Sequence, residues 1–385
     1  MAKTKTLPAR RKASPKVRKG STATKPVADS DRPRVVKTAT RKAAASDPRA
    51  ARVASRQRRL QDQEKAKDAR ATKKAAKKTA TQAGTRRQPE TMPAQHLPKP
   101  GHEHALELAP RFLAPDYVGS GKLQGMRAII TGGDSGIGRA VAVLFAREGA
   151  DVAVLHLDEA EDADITRQHV EREGGRCVVI AGDVRDPRFC NKAVKQVAKA
   201  FGGIDILVNN ASAIWLRGTL DTPMKRFDLM QQVNARGSFL CAQACLPYLL
   251  QAPNPHILTL APPPSLDPKW WAPHTGYTLA KMGMSFVTLG LAAEFGPQGV
   301  AVNALWPRTV IATDAINMIP GVDAAGCRTP QIMADAAHAV LVREAAGFHG
   351  RFLLDDEVLA EAGVTDLSGY ADDPSRALLP DLFLD

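Results

Sequence analysis

Thr131-Gly-Gly-Asp-Ser-Gly-Ile-Gly138 stands between two kinds of periodicity. Ahead of it, Met126-Arg-Ala-Ile-Ile130 is a short apolar, β-branched run, the pattern of a buried strand. Behind it, Arg139-Ala-Val-Ala-Val-Leu-Phe-Ala-Arg-Glu148 reads as a helix stopped by Gly149. Strand, glycine turn and helix is the context in which glycines hold phosphates. Gly132 allows the tight turn, Gly136 lets a pyrophosphate approach the backbone, and Gly138 lets the helix pack close to the strand. The free N–H groups and positive dipole end of that helix face the anion. The stretch therefore points to a dinucleotide ligand.

The same alternation continues downstream. Asp151–Leu157 reads as a second strand, with a charged helix following to about Glu173. Arg176–Ala181 is a third strand, leading into Gly182-Asp183-Val184. A helix over Pro187–Phe201 leads to the strand Ile204–Val208 and then Asn209-Asn210-Ala211-Ser212. A helix containing Asn234 runs on through Cys245 to Leu250. Pro255–Leu260 is the fifth strand, Tyr277 to Lys281 opens a long helix, Val300–Leu305 is the sixth strand, and Gly350–Leu354 the last. Strands alternating with helices imply an α/β fold, a Rossmann-like doubly wound parallel sheet with helices on both faces.

In such a sheet the end of the second strand meets the adenosine ribose. Here that end reads His156-Leu157-Asp158. His156 suits a 2′-phosphate and Asp158 a free ribose, so NADP and NAD both remain open, with NADP the reading favoured. Asp183 sits where a carboxylate accepts from the adenine amino group. Paired Asn side chains at the end of the fourth strand can bond neighbouring backbones and fix the floor of a cleft. The spacing of four puts Tyr277 and Lys281 on one helix face.

Charge divides the chain. Residues 1–90 carry 28 Lys and Arg against 7 Asp and Glu, a net +21 within a total of +13, so the remainder is −8. That stretch has almost no large apolar residues and is expected to be a long disordered basic tail. Within it, Arg52–Ala80 is helical in composition but polar on every face, a segment expected to form a helix against a polyanion and not alone. Counterion release favours non-specific binding to nucleic acid or another polyanion, and without interleaved aromatic residues no sequence specificity is expected. Residues 91–121 read as a linker and 122–385 as the folded domain. The linker histidines His96, His102 and His104 have no Cys or clustered carboxylates beside them, which argues against a metal site.

The five cysteines, Cys177, Cys190, Cys241, Cys245 and Cys327, are scattered and lack zinc-knuckle spacing. With no signal peptide ahead of them, a reducing, cytoplasmic setting is expected. No apolar run reaches the ~18 residues of a membrane span.

The order of these pieces is more specific than any one of them: glycine turn, Gly-Asp-Val, Asn-Asn-Ala, a helical Asn, then Tyr-x-x-x-Lys. In this the chain resembles the short-chain dehydrogenase/reductase family over about residues 120–385. Pro98–Ala211 is similar to the bacterial stress-associated reductases of that family. Asn210 to the end is similar to its hydroxysteroid dehydrogenase-like branch, through Asn210-Ala-Ser-Ala-Ile214, Ala301-Val-Asn-Ala-Leu-Trp-Pro307 and Pro380-Asp-Leu-Phe-Leu384. In that branch a sterol-carrier domain follows, whereas this sequence stops at Asp385.

The resemblance implies an NAD(P)-dependent oxidoreductase acting on an alcohol/carbonyl pair. Tyr277 is then the acid/base, and Lys281 stabilises its phenolate and reaches the nicotinamide ribose. Asn234 holds a water in a relay to Lys281. The implied cofactor contacts are Thr131, Gly132, Asp134, Ser135, Gly136, Ile137 and Gly138 on the turn. His156, Asp183, Val184, Asn210, Ala211 and Lys281 complete them.

The chain departs from the family where a Ser should bind the substrate oxygen. Ala261 and Pro262 stand there. Ser265 is the favoured replacement, with Thr259 and Ser212 as further candidates. Arg308 replaces a usual Gly and is read as meeting a phosphate or carboxylate, or water. Trp215, Trp270, Trp271 and Trp306 fall just past strand ends and are read either as an aromatic wall for an apolar substrate or as loop packing. Homodimers or homotetramers are implied, through the helices carrying Asn234 and Tyr277.

Overall fold

The computed structural model describes residues 102–384 apart from 107–108, 114–116, 319–325 and 372–374, together with residues 52, 53, 55, 56 and 59. Most of the basic tail, His96 and Pro98–Gly101 lie outside the described residues. Residues 52, 53, 55, 56 and 59 are helical, in keeping with the good helix formers in that stretch.

Seven parallel strands form the sheet in the order β3-β2-β1-β4-β5-β6-β7. They are β1 (Arg127–Thr131), β2 (Asp151–His156), β3 (Cys177–Ala181), β4 (Ile206–Asn209), β5 (His256–Thr259), β6 (Ala301–Trp306) and β7 (Phe352–Leu354). The strand order reverses between β1 and β4. At such a switch point the connections leave in opposite directions and open a crevice beyond the strand ends.

The two-residue alternation of each strand sorts its side chains into two cores. Ile130, Val152, Val154, Ile206 and Val208 pack with helices α1 (Gly136–Arg147) and α8 (Gln331–Leu341). Ile129, Ala153, Leu155, Leu207 and Ile257 face the other way, onto α3 (Pro187–Phe201) and α5 (Gly237–Leu249). Strands buried on both faces read as continuous apolar runs, and for that reason they were legible. Burying each large side chain contributes about 1.5–3 kcal/mol. Cys190, Cys241 and Cys245 lie within the second core, and all the cysteines are free thiols.

The remaining helices are α2 (Ala160–Arg172), α4 (Met224–Met230), α6 (Pro268–Trp271), α7 (Thr275–Phe295) and α9 (Asp355–Glu361). The long helix expected around Asn234 is interrupted. A π-helical turn, Gln231–Arg236, joins α4 to α5. Such turns widen the hydrogen-bond ladder and gather at functional sites. Among the described residues, no helix is long and apolar enough to cross a membrane.

Of the residues expected as linker, Glu103, His104, Tyr117 and Ser120 bond to the domain. Glu103 is 2% exposed. The buried Glu148 carboxylate accepts from the Ser120 N–H and hydroxyl and from the Tyr117 hydroxyl.

Candidate active site

The glycine turn is built as tightly as its spacing implies. Gly132 has φ +63°, a conformation that side chains with a Cβ disfavour. A Cβ on Gly138 would lie 2.0 Å from the Gly132 carbonyl oxygen and 2.7 Å from Asn210 Nδ2. Asn210 donates to the Thr131 and Gly132 carbonyls at 3.0 and 2.8 Å, and the Thr131 hydroxyl accepts from the Asn210 and Ala211 N–H groups, each at 3.0 Å. The fourth strand end is thus stitched to the turn.

A cleft of about 350 Å³ opens above it, lined by Gly132, Asp134, Ser135, Gly136 and Ile137. His156, Asp183, Val184, Asn210, Ala211 and Ser212 extend the lining toward the adjacent strand ends. Ser135 precedes helix α1 without capping it, and of the first-turn N–H groups the one on Gly136 donates to Glu103. These features fit a dinucleotide.

The far side of the cleft is acidic. Asp134 and Glu159 are each 6% exposed, and His156 is 5% exposed. Glu159 Oε2 accepts from the Leu157 and Asp158 N–H groups at 3.1 and 2.9 Å and stands 3.9 Å from His156 Nδ1. Burial, then the neighbouring Asp134, pushes the Glu159 carboxyl up to about 7. Burial also pulls the His156 imidazole down, which disfavours the charged form a phosphate would pair with. Asp183, expected to meet adenine, lines the cleft, but its carboxylate is paired with Arg185 at 2.8 Å.

Glu103, which the sequence reading did not single out, also lines the cleft. Its Oε2 accepts from the Gly136 N–H at 2.6 Å, and its other oxygen binds Arg139. Burial pushes this carboxyl up to about 7. The short helical turn Glu103–Ala105 is pinned by Asp162, which accepts from the Glu103 and His104 N–H groups at 2.6 and 2.8 Å. His102, His104 and Asp162 each place one ligand atom within 4.8 Å of the others. The expectation that these histidines lack a carboxylate nearby is corrected, because folding brings α2 against them. Both Asp162 oxygens are already engaged by backbone N–H groups.

At the β5–β6 end, Tyr277 and Lys281 lie one turn apart on α7, 5% and 4% exposed. Lys281 Nζ donates to the Leu260 carbonyl at 3.1 Å and lies 5.0 Å from the Trp306 ring centre. Burial pulls its ammonium down to about 8. Burial and Asp381 push the Tyr277 phenol up, the opposite of the lowering expected from Lys281. Asn234 spends its side chain on Ala213, accepting from its N–H at 2.7 Å and donating to its carbonyl at 3.1 Å. No hydrogen bond joins Asn234 to Lys281 among the described residues.

Ser265 is not brought to Tyr277 by any hydrogen bond among the described residues. Its hydroxyl accepts from the Asp267 N–H at 3.3 Å, in the turn that opens α6. Ala261, which stands where the resemblance implies a Ser, is buried. Arg308 is partly exposed and pairs with Asp356 at 2.5 Å and with Glu357. Trp270, Trp271 and Trp306 cluster beside Tyr277, with Trp215 in the same apolar group. Phe383 sits among them, its ring stacked on Tyr277 with centroids 6.2 Å apart.

Residues 126–319 match the short chain dehydrogenase family profile. Hydroxysteroid dehydrogenase-like protein 2 of Danio rerio is 46% identical over 277 residues, which are 69% of this chain and 65% of that protein. The chain therefore spans somewhat less than two thirds of that relative's length. A putative dehydrogenase from Xanthomonas campestris is 70% identical, with a TM-score of 0.67 over 68% of this chain and 99% of that one. A short chain dehydrogenase from Burkholderia cenocepacia J2315, solved in complex with NADP, is 30% identical with a TM-score of 0.54, over 60% and 97% of the two chains. Sheet order, glycine turn and these likenesses agree: the chain belongs to the short-chain dehydrogenase family.

Proposed function

We propose that this chain is an NAD(P)-dependent oxidoreductase that interconverts a carbonyl and an alcohol, with Tyr277 as the proton donor. The observation that carries the reading is the placement of Tyr277 and Lys281, buried on one face of α7 and anchored to the end of β5 through the Leu260 carbonyl. They occupy the sheet edge that also holds the glycine turn. Reducing a carbonyl needs a hydride at carbon and a proton at oxygen. Hydride transfer is the chemistry a nicotinamide supplies when bound. A phenol held protonated by its surroundings suits the proton-donating role. Lys281, with its ammonium near 8, is suited to return a proton to Tyr277. Its cation also favours any phenolate that forms.

The cofactor-binding residues are those of the turn, Asn210 and Ala211, with His156, Asp183 and Val184 toward adenosine. Asp134 on the glycine turn and Glu159 beyond β2 both line the cleft and favour a free ribose 2′-hydroxyl over a 2′-phosphate. This supports NAD over NADP, against the inclination drawn from His156. The tryptophan-rich surroundings of Tyr277 support an apolar or aromatic substrate. Phe239 on α5 and Leu279, Phe286 and Leu289 on α7 are exposed, which supports association of copies through those helices. The test is NADH or NADPH oxidation on a panel of aldehydes and ketones by wild type and Tyr277→Phe. Turnover that survives Tyr277→Phe contradicts the assignment.

The buried Ala261 in place of an oxygen-binding hydroxyl, with the basic tail, favours a second reading: a dinucleotide-binding sensor tethered to nucleic acid. Dinucleotide binding with no turnover on any carbonyl would select it.

A further inference from the structure

The open cleft ends before Tyr277, whose ring is covered by a piece of the same chain. Residues 380–384 run back along the end of β6. Pro380 pairs with Thr309 in an antiparallel bridge, and the Asp381 N–H donates to the Arg308 carbonyl at 3.0 Å. Trp306 Nε1 donates to the Leu382 carbonyl at 2.9 Å. These contacts aim the Phe383 ring into a box formed by Trp270, His274, Tyr277 and Trp306, with ring centroids 5.9–6.2 Å away. Phe383 is 4% exposed, and Tyr277 beneath it 5%.

Two further features mark this segment as an occupant rather than a wall. Phe383 has φ +73°, and among the described residues no other non-glycine residue has a positive φ. A bulky side chain in that region is strained and persists only where its surroundings hold it. What holds it is chiefly the ring box and the few backbone bonds named above, not a sheet ladder. The box also has the makings of a binding seat: flat aromatic faces, one imidazole, and the phenol and ammonium at its floor.

We propose that residues 380–384 are an internal occupant of the substrate seat, with Phe383 standing where the ring of a cyclic or aromatic carbonyl compound goes, and that substrate entry requires this segment to swing out. The proposal rests on the oxidoreductase reading for the word substrate, but the closure itself is testable without turnover. Burial of one phenyl ring biases the closed state by about 10–100-fold. Tyr277 should therefore become accessible when the ring is removed.

The experiment is nitration of the full chain by tetranitromethane, with each tyrosine followed by peptide mass spectrometry, in wild type and Phe383→Ala. Tyr248, half-buried on α5, is the internal reference. A rise of about 10-fold or more in the Tyr277 rate, with Tyr248 unchanged, is expected. An unchanged Tyr277 rate overturns the proposal. If Phe383→Ala does not fold, hydrogen exchange on wild type decides the matter. Amides of Asp381 and Leu382 that open far more often than those of β5 and β6 support a swinging segment, and equal protection overturns it.

The same proteins are then assayed with NADH and acetophenone. A higher kcat/KM for Phe383→Ala supports the occupant, and a lower one makes Phe383 a fixed wall and overturns it. Enhanced nitration with no turnover in either protein supports the occupant and counts against the oxidoreductase reading.

Discussion

At the β1–β2 end of the cleft, the groups facing a dinucleotide come mainly from short, unbroken stretches: Thr131 to Gly138, His156 to Glu159, Asp183 and Val184, Asn210 and Ala211. The contacts proposed there are mostly backbone N–H groups and glycine geometry. At the β5–β6 end, Tyr277 and Lys281 meet Trp306, Asp381 and Phe383 from later parts of the chain, and side chains carry the chemistry. The first end recognises a part of the ligand that any member of a large family can share. The second is assembled from loops, which vary without disturbing the sheet. Each end nevertheless holds one segment from outside the sheet core: Glu103 on the Gly136 N–H, and Phe383 on the Tyr277 ring.

Breaking the chemical end while sparing the other is expected to have the largest effect. Tyr277→Phe should lower turnover by about 10²–10⁴-fold and leave NADH affinity within about twofold, read by initial rates and by a binding titration. Equal losses in both would mean the two ends are not separable.

Breaking the cofactor end comes next. Gly138→Ala places a Cβ 2.0 Å from the Gly132 carbonyl oxygen. It should cost about 1–3 kcal/mol of stability by overpacking and abolish dinucleotide binding, checked by denaturant melts and titration. Normal binding would show that the turn tolerates what its geometry forbids.

The acidic β2 end sharpens the comparison. Glu159→Lys should shift preference from NADH toward NADPH by about 10-fold, the scale of one new charged contact. A preference for NADPH already present in wild type would contradict the reading of Asp134 and Glu159.

The smallest effect concerns pH. Glu103 has its carboxyl raised to about 7, so it is largely neutral below that pH and charged above it. A charged carboxylate on the Gly136 N–H competes with and repels a pyrophosphate. Dinucleotide affinity should therefore fall a few-fold as pH rises through about 7, and Glu103→Gln should flatten that profile. A profile that keeps its slope in the variant would assign the titration elsewhere.

The glycine turn was legible in the sequence because its information is local. A β-branched run, glycines at fixed offsets and a helix restart can be read without knowing the fold. The seven strands followed from the same local signals, displaced by a residue or two at their ends. What escaped was long-range or carried no period. Glu103 reaches Gly136 only because Asp162 on α2 accepts from two N–H groups of its turn. Glu159 lies beside Asp158, and only burial separates its role from that of an ordinary helix-start acid. The π-helical turn at Asn234 leaves no mark on the apolar spacing. Pro380-Asp-Leu-Phe-Leu384 carries a likeness to relatives, but nothing local in it places Phe383 on Tyr277. The surroundings of Tyr277 also raise its phenol where Lys281 alone suggested lowering, because burial and Asp381 act in the same direction.

The most direct test of the account is a titration of the full chain with NADH and with NADPH, read by quenching of its tryptophans. Saturable binding of NADH, tighter than NADPH and weakened by Gly138→Ala, is the result predicted. Binding of neither dinucleotide would contradict the assignment of the cleft, and with it the proposed reaction.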